Sequence, residues 1–328
     1  RIKEYARSTF LERIIYLAVV FLLLLLRTKN YTYFIYADLA GKAVALVYTV
    51  YQCRDIYFTK PVSLFPALRE AWANIRVGIK LTFANLASLL IVGSVRFCIE
   101  QQWDITTFGK VSLTISVSNM LMLFVQAVSM IMFPMLRRTP EEMRRDIYGI
   151  MRTCLMIPML GIMILYYPMK VLLSMWLPQY AESLRYMALL FPMCVFQSKT
   201  SMLIETYLNT FRKEKVLLIV NVITVIVSIG ISAFVVFYLQ NLDLAIACIV
   251  PLLAFRCIIA ELYLSKVLSI QVKKDILLEV ILSLIFTLSS WFIGGWIGVG
   301  IYLVCYLLYL LIKKNDIQAL HKNLKQYF

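Results

Sequence analysis

The residues of this sequence that could do chemistry are ionisable side chains inside long apolar stretches. They form four candidate pairs, Asp38 with Lys42, Arg96 with Glu100, Lys199 with Glu205 and Arg256 with Glu261. In three of these pairs the partners are four or five residues apart, which allows or nearly allows contact along one helix. A charged side chain at the centre of a bilayer costs about 2.5–3.5 kcal/mol or more, so such residues face protein or water. The pairs are therefore either structural ion pairs that join helices, or the lining of a wet cationic chamber for an anionic solute.

The stretch 74–100 favours the chamber for Arg96. At about 100° per residue its polar residues and one glycine fall on one helical stripe. The members of this stripe are Asn74, Gly78, Asn85, Ser88, Arg96 and Glu100. The next apolar segment carries a second stripe, Ser112, Ser116, Asn119 and Gln126. Together the stripes predict a polar wall beside Arg96, whereas Arg256, with Glu261 close by, fits a structural pair better.

The composition places these charges in a membrane protein, because 62% of the residues are hydrophobic and only 16% are charged. The apolar segments predict an all-α, polytopic transmembrane bundle of about ten spans. The predicted spans are 9–26, 32–52, 74–100, 108–134, 147–167, 184–207, 215–238, 243–265, 276–294 and 297–312. Between the second and third spans, residues 53–73 predict an amphipathic helix on the membrane surface.

The net charge of +15 follows from the predicted topology. Most of the 33 Lys and Arg residues fall in segments on the N-terminal side of the membrane, which predicts that both ends of the chain are cytoplasmic. The distribution therefore explains the charge without a nucleic-acid partner.

Signals for enzymatic or metal chemistry are poor. The seven cysteines are scattered and the single histidine is His321, which gives no disulfide or zinc framework. The sequence has no GxSxG, P-loop or HExxH motif, and adjacent carboxylates occur only at Glu141 and Glu142 in a charged loop. We therefore expect neither an enzyme nor a bound cofactor.

The predicted span 184–207 is interrupted. Pro192 is followed by the polar cluster 197–201, QSKTS, which contains Lys199. Broken helices at membrane depth are typical of transporter binding sites. A simple proline kink, with its freed carbonyls bonded by Ser and Thr, explains the same pattern, and both interpretations can hold together.

Three long segments carry a family resemblance. They are NIRVGIKLTFANLASLLIVGSVRF, FGKVSLTISVSNMLMLFVQAVSMIMFPMLRR and WLPQYAESLRYMALLFPMCVFQSKTSMLIETYLNTFRKEKVLLIVN. Their order of features is an N-x-x-x-G-x-K start, a buried Arg, FG after a tight turn, a P-x-L end, an LPxY outer loop and an inner loop ending in E-K. In this order the chain resembles the Wzx-type oligosaccharide flippases of the multidrug/oligosaccharidyl-lipid/polysaccharide (MOP) superfamily.

The resemblance implies two helical lobes of the MATE/MOP type around a central cationic cavity, with an incomplete first lobe in this chain. Residues 1–55 would be the last two helices of the first lobe, and 56–74 an amphipathic cytoplasmic linker. Residues 75–266 would be a complete six-helix second lobe, and 267–328 an extra helix pair with a basic cytoplasmic tail.

The resemblance also implies a task in a bacterial inner membrane. An undecaprenyl-diphosphate-linked oligosaccharide would be flipped from the inner to the outer leaflet, for O-antigen, lipopolysaccharide or other surface polysaccharide biosynthesis. Its partners would be this lipid, the bilayer and the polysaccharide polymerase machinery. Arg96 matches the family's buried arginine and would contact the diphosphate, helped by Lys42 and Lys199, because fixed cations replace lost hydration.

Further site residues follow from the same resemblance. The sugars would be bound by Asn85, Ser88, Asn119 and Gln126. Asp38 and Glu100 would balance charge or carry a coupling proton, and the coupling ion would be H⁺ or Na⁺. Three alternatives stay open: a multidrug/cation antiporter of the same superfamily, a membrane-embedded polysaccharide polymerase or transferase, and a non-transporting scaffold for polysaccharide assembly. A cationic cavity argues against the first, and the short loops argue against the second.

Overall fold

In the computed structural model of the protein, the described residues are 2–26, 30, 32–57, 64–120, 122–138, 140–176, 178–181, 183–314 and 316–318. The described residues are 92% helical and include no β-strand. The prediction of an all-α polytopic bundle is confirmed.

Eight of the described helices or helix runs are long and apolar enough to cross a membrane, or nine if a bent pair counts as one span. They are Arg7–Leu25, Thr32–Gln52, Phe65–Gln102, Met143–Trp176, Glu214–Tyr238, Leu242–Leu268, Lys273–Ile293 and Gly295–Ile312, and the bent pair is Ser183–Leu190 with Met193–Thr210. The chain is therefore an integral membrane protein. The predicted span 108–134 is not among these runs: its described parts are Ile105–Met120 and Met122–Arg138, and residue 121 between them lies outside the described residues. This span therefore stays a prediction.

The chain divides into two compact units, Arg1–Ala73 and Asn74–Phe328. Unit 1 contains α1 (Ile2–Leu25), α2 (Thr32–Gln52) and the short α3 (Arg54–Tyr57). The next helix, α4 (Leu64–Gln102), begins ten residues before unit 2. The C-terminal part of the predicted surface helix at 53–73 belongs to α4 and is continuous with the predicted span, while residues 58–63 lie outside the described residues. The location of this segment at the membrane surface stays a prediction.

The antiparallel contact of α1 with α2 depends on small residues. Ala37, Gly41 and Ala45 are buried at a four-residue spacing, so they form one face of α2. A Cβ on Gly41 would lie 2.9 Å from the backbone oxygen of Glu12. Glycine at this position thus permits an approach of the two helices that any larger residue would prevent.

Unit 2 is a helical bundle with two neighbouring apolar cores. Its remaining helices are α5 (Ile105–Met120), α6 (Met122–Arg138), α7 (Glu141–Ile162), α8 (Tyr166–Trp176), α9 (Met187–Leu190), α10 (Met193–Lys199), α11 (Thr206–Thr210), α12 (Glu214–Ala233), α13 (Leu242–Ala247), α14 (Ile249–Leu268), α15 (Lys273–Leu288) and α16 (Gly295–Ile312). The first core joins α4, α10, α12 and α14, and the second joins the end of α7 to α15 and α16.

The last two helices belong to the same compact unit as the rest of the bundle. On α16, Tyr302 donates a hydrogen bond to the backbone oxygen of Leu160 at 2.7 Å, and Tyr306 donates one to Ile157 at 2.9 Å. The ring of Phe286 on α15 packs edge-on against Tyr302, with centroids 5.2 Å apart. The predicted extra pair in 267–328 therefore contributes to the core of unit 2.

The interrupted span is bent by 41° between Ser183–Leu190 and Met193–Thr210, which confirms the kink predicted at Pro192. After α10 the backbone forms a π-helical segment, Thr200–Glu205. The hydroxyl of Thr200 donates to the backbone oxygen of Phe196 at 2.8 Å, so hydroxyls of the polar cluster do bond backbone carbonyls here.

Candidate functional site

Arg96 lies in the C-terminal half of α4 and is half-buried. Its Nη2 donates a hydrogen bond to Ser112 Oγ on α5 at 2.9 Å, and its Cζ lies 5.4 Å from the centroid of the Phe108 ring. Its Nε is buried and has no hydrogen-bond partner among the described residues. Glu100 is exposed, and no ion pair joins it to Arg96 in the described chain, so that candidate pair is not formed. The guanidinium keeps a charge that no described carboxylate neutralises.

The turn between α4 and α5 holds Arg96 close to Ser112. Asp104 precedes α5, and its Oδ1 accepts hydrogen bonds from the backbone N–H of Thr107 at 3.2 Å and from the Thr107 hydroxyl. These hydrogen bonds lower the pKa of Asp104, because they favour its carboxylate form. Asp104 thus acts as an N-cap that fixes the start of α5.

The predicted polar wall lies on the outside of unit 2. Asn85, Asn119 and Gln126 are exposed, and Ser88 is half-buried. Another face of α4 packs into the core through a buried stripe that includes Ala84, Ile91 and Val95. The wall extends about 16 Å along α4 from Asn85 to Arg96, at 1.5 Å per residue. Polar side chains of this kind avoid lipid, so we expect this surface to meet water or other polypeptide.

Asp38 and Lys42 form their predicted pair on α2. Lys42 Nζ donates to Asp38 Oδ2 at 2.6 Å, and the side chains of Lys42 and Asp38 are 57% and 39% exposed, respectively. Both residues belong to unit 1. A pair this exposed to its surroundings contributes little to stability.

Lys199 occupies a different environment from Arg96, since it is only 1% exposed. Its Nζ contacts Glu261 Oε2 on α14 and lies 2.6 Å from Glu279 Oε2 on α15. The predicted partner Glu205 is not among its ion-pair partners, so the pairing of Lys199 with Glu205 is wrong. Two carboxylates enclose the ammonium, so both of them already neutralise its charge.

Arg152 on α7 completes this buried charge network. Its Nε donates to Glu261 Oε1 at 2.9 Å, its Nη1 donates to Asp275 Oδ2 at 2.8 Å, and its Nη2 lies 2.7 Å from Glu279 Oε1. The hydroxyl of Tyr148 adds a hydrogen bond to Glu261 at 3.0 Å. We call Arg152, Lys199, Glu261 and Glu279 the buried tetrad. Its two cations and two carboxylates balance, which is what makes four charges tolerable in a dry interior.

The tetrad continues to the end of α16 through Asp275. Lys313 Nζ donates to Asp275 Oδ1 at 2.7 Å and to Asp316 Oδ2 at 2.6 Å. Burial opposes the charged form of Lys313, but these two hydrogen bonds prevail and raise its pKa. The network therefore joins α7, α10, α14 and α15 to the chain that follows α16.

Arg256 forms a second buried cluster. Its Nη2 donates to Glu205 Oε1 at 2.7 Å, and its Nε donates to Asn221 Oδ1 on α12 at 2.7 Å. Asn221 in turn donates to the backbone oxygen of Ala84 on α4 at 2.8 Å. The prediction that Arg256 has a structural role agrees with this geometry, but Glu261 as its partner is wrong.

A polar seam continues this contact between α4 and α12. The hydroxyl of Ser228 lies 2.8 Å from that of Ser94 and donates to the backbone oxygen of Ile91 at 2.8 Å. Along α12, Asn221, Thr224, Ser228 and Ser232 are each no more than 1% exposed. This stripe at helical spacing fixes the helix that carries Arg96 against the core.

Sequence reasoning missed the tetrad because its members lie far apart along the chain. Arg152 falls inside the predicted span 147–167, and Glu279 falls inside the predicted span 276–294. An unpaired carboxylate in a predicted span was the available signal. Asn221 and Ser228 were also missed, although their seven-residue spacing places both on one face of a helix.

Comparisons of the chain with protein-family models, with curated proteins and with solved structures give no match. The resemblance to the oligosaccharide flippases therefore stays a prediction. The geometry of the charged residues is what indicates a function for this chain.

Proposed function

We propose that this protein is a membrane transporter that moves a diphosphate-linked oligosaccharide lipid between bilayer leaflets, and that Arg96 contacts the diphosphate. The observation that carries the proposal is the un-neutralised guanidinium of Arg96, which bonds the neutral Ser112 and leaves its Nε without a described partner. A diphosphate offers anionic oxygens to the planar donors of a guanidinium, and such charge-assisted hydrogen bonds are strong.

The polar wall supports a sugar-bearing ligand over a simple anion. Asn85, Ser88, Asn119 and Gln126 offer amide and hydroxyl groups that can both donate to and accept from sugar hydroxyls. The wall runs for about 16 Å along α4 away from Arg96, so a ligand of extended shape can contact both. The proposal assigns no ligand contact to Lys199, since both of its carboxylate partners would have to be displaced first.

The direct test is transport by the protein reconstituted in phospholipid vesicles. The substrate is an undecaprenyl-diphosphate oligosaccharide with a fluorescent sugar, and the readout is the fraction that an added quencher can reach. Arg96→Ala removes one charge-assisted contact and should lower the rate by about tenfold or more, whereas Arg96→Lys should retain part of it.

Arg76→Ala is the matched control. Arg76 is also on α4 and exposed, but it lies about 160° around the helix from Arg96. The Arg76→Ala variant should transport at the original rate. An unchanged thermal unfolding curve shows that each variant is folded. A folded Arg96→Ala variant that transports at the original rate would remove Arg96 from the mechanism. Uptake of a cationic drug in place of the oligosaccharide lipid would favour the antiporter alternative.

A further inference from the structure

A cavity of about 500 Å³ lies in unit 2 between α8 and the turn that joins α15 to α16. Tyr166, Tyr167 and Lys170 line one side, and Gly294, Gly295 and Trp296 line the other. The basic residues Lys273 and Lys313 stand at the opposite ends of α15 and α16. The cavity therefore opens on the side of the bundle opposite these basic ends.

The first turn of α16 faces this cavity without a cap. No described side chain bonds the N-terminus of the helix, which begins at Gly295. The first N–H groups of a helix lack intrahelical partners and carry the positive end of the helix dipole. Gly294 and Gly295 have φ values of +63° and +54°, a conformation that glycine adopts readily. Because neither residue has a side chain, the backbone of this turn stays open to a ligand.

Independent support comes from Tyr166 on the facing wall. Its side chain is 1% exposed, and its hydroxyl has no hydrogen-bond partner among the described residues. A buried hydroxyl without a partner is unfavourable, so an acceptor at this position would stabilise the site. Lys170 lies one turn further along α8, with its Nζ 5.9 Å from the centroid of the Tyr166 ring. It is the one charged residue among those described that line the cavity.

We propose that this cavity binds one anionic glycerophospholipid, independently of the proposed transport function. Its phosphate contacts the Lys170 ammonium, the Tyr166 hydroxyl and the first N–H groups of α16, and an acyl chain follows apolar residues such as Ile164, Val171 and Val299.

Charge selects this lipid class. One ammonium and one helix N-terminus match the single negative charge of a phosphodiester. A zwitterionic lipid carries a cation of its own next to the phosphate, and no described carboxylate lines the cavity to receive it. Trp296 is 88% exposed at the cavity, which suits a residue at the level of lipid headgroups.

The test is native mass spectrometry of the full, delipidated chain in detergent with added phosphatidylglycerol or phosphatidylcholine of the same acyl chains. The expected result is one phosphatidylglycerol that binds about tenfold more tightly than phosphatidylcholine. Lys170→Gln should abolish this preference. Val299→Phe should weaken the binding of both lipids, because the larger side chain fills the part of the cavity that holds the acyl chain. Lys110→Gln removes a charge on α5, outside the cavity, and should leave the preference unchanged.

Three results would overturn the proposal. Equal affinity for the two lipids contradicts the phosphate contact with Lys170. A loss of preference in Lys110→Gln as large as that in Lys170→Gln assigns the effect to overall charge. Displacement of phosphatidylglycerol by an equal concentration of undecaprenyl diphosphate would make the cavity a site for the isoprenoid carrier. Because the variants differ from those at Arg96, failure here leaves the transport proposal untouched.

Discussion

Unit 2 holds positive charge within membrane-spanning helices in two different ways. In the buried tetrad, Arg152 and Lys199 meet two carboxylates and none of the four residues is more than 5% exposed. On the polar wall, Arg96 is half-buried, donates a hydrogen bond to the neutral hydroxyl of Ser112 and has no described carboxylate partner. A charge that is fully paired in a dry interior fixes helices to each other. A charge left unpaired at a polar surface can bind an anion, so the partners of a charge indicate its role better than its depth does.

The largest effect is expected from breaking the tetrad. Lys199→Met leaves an excess negative charge on Glu261 and Glu279, which should reduce the free energy of unfolding by about 3–5 kcal/mol. Glu279→Gln in the same chain restores the balance and should recover a large part of this loss. Thermal unfolding in detergent, followed by circular dichroism, measures both. If Lys199→Met alone were as stable as the original protein, the tetrad would not be a dry cluster of balanced charges.

A smaller effect is expected at the second buried cluster. Arg256→Met leaves Asn221 Oδ1 and Glu205 without their donor, which should reduce the free energy of unfolding by about 1.5–3 kcal/mol. The loss should be smaller than in Lys199→Met, because the Glu205 side chain is 26% exposed and can find another donor. Denaturation of the two variants under the same conditions compares their free energies of unfolding. A larger loss in Arg256→Met than in Lys199→Met would show that burial does not determine how much unfolding free energy these substitutions remove.

The polar seam should give a still smaller effect. Ser228→Ala removes the contacts of one hydroxyl with α4 and should cost about 0.5–1.5 kcal/mol. Ser116→Ala on α5 is a suitable control, because this exposed hydroxyl bonds only the Ser112 carbonyl of its own helix. Equal losses in the two variants would argue that the seam does not hold α4 in place.

Arg96 should contribute least to stability. Arg96→Gln removes a half-exposed charge with one neutral partner, so we expect the free energy of unfolding to change by about 0.5 kcal/mol or less. Thermal unfolding in detergent, followed by circular dichroism, measures this change. A loss as large as that of Lys199→Met would make Arg96 a structural residue and would remove the contrast between the two regions.

The sequence was sufficient for the helices because apolar length is a strong local signal. It was also sufficient for Asp38 with Lys42, which lie four residues apart and share a helix face. Arg256 and Glu261 are five residues apart, about 140° around the helix, so their side chains point to different neighbours. Arg96 and Glu100 have the spacing of a pair, yet Arg96 contacts Ser112 on the next helix.

The tetrad shows where prediction from this sequence ends. Arg152 meets Glu261 across 109 positions and Asp275 across 123. Contacts of this kind depend on how the bundle packs, and no spacing along one helix encodes them. The prediction that Lys199 lies at an interrupted helix was confirmed, but only the packing of α14 and α15 around it revealed that its charge is enclosed.

We propose that Arg96, and not Lys199, is the cation that contacts the diphosphate. The most direct measurement is the affinity of the detergent-solubilised protein for an undecaprenyl-diphosphate oligosaccharide, compared between Arg96→Gln and the charge-balanced pair Lys199→Met with Glu279→Gln. The account predicts about tenfold weaker binding in Arg96→Gln and unchanged binding in the folded double variant. Unchanged binding in Arg96→Gln with a loss in the double variant would contradict it.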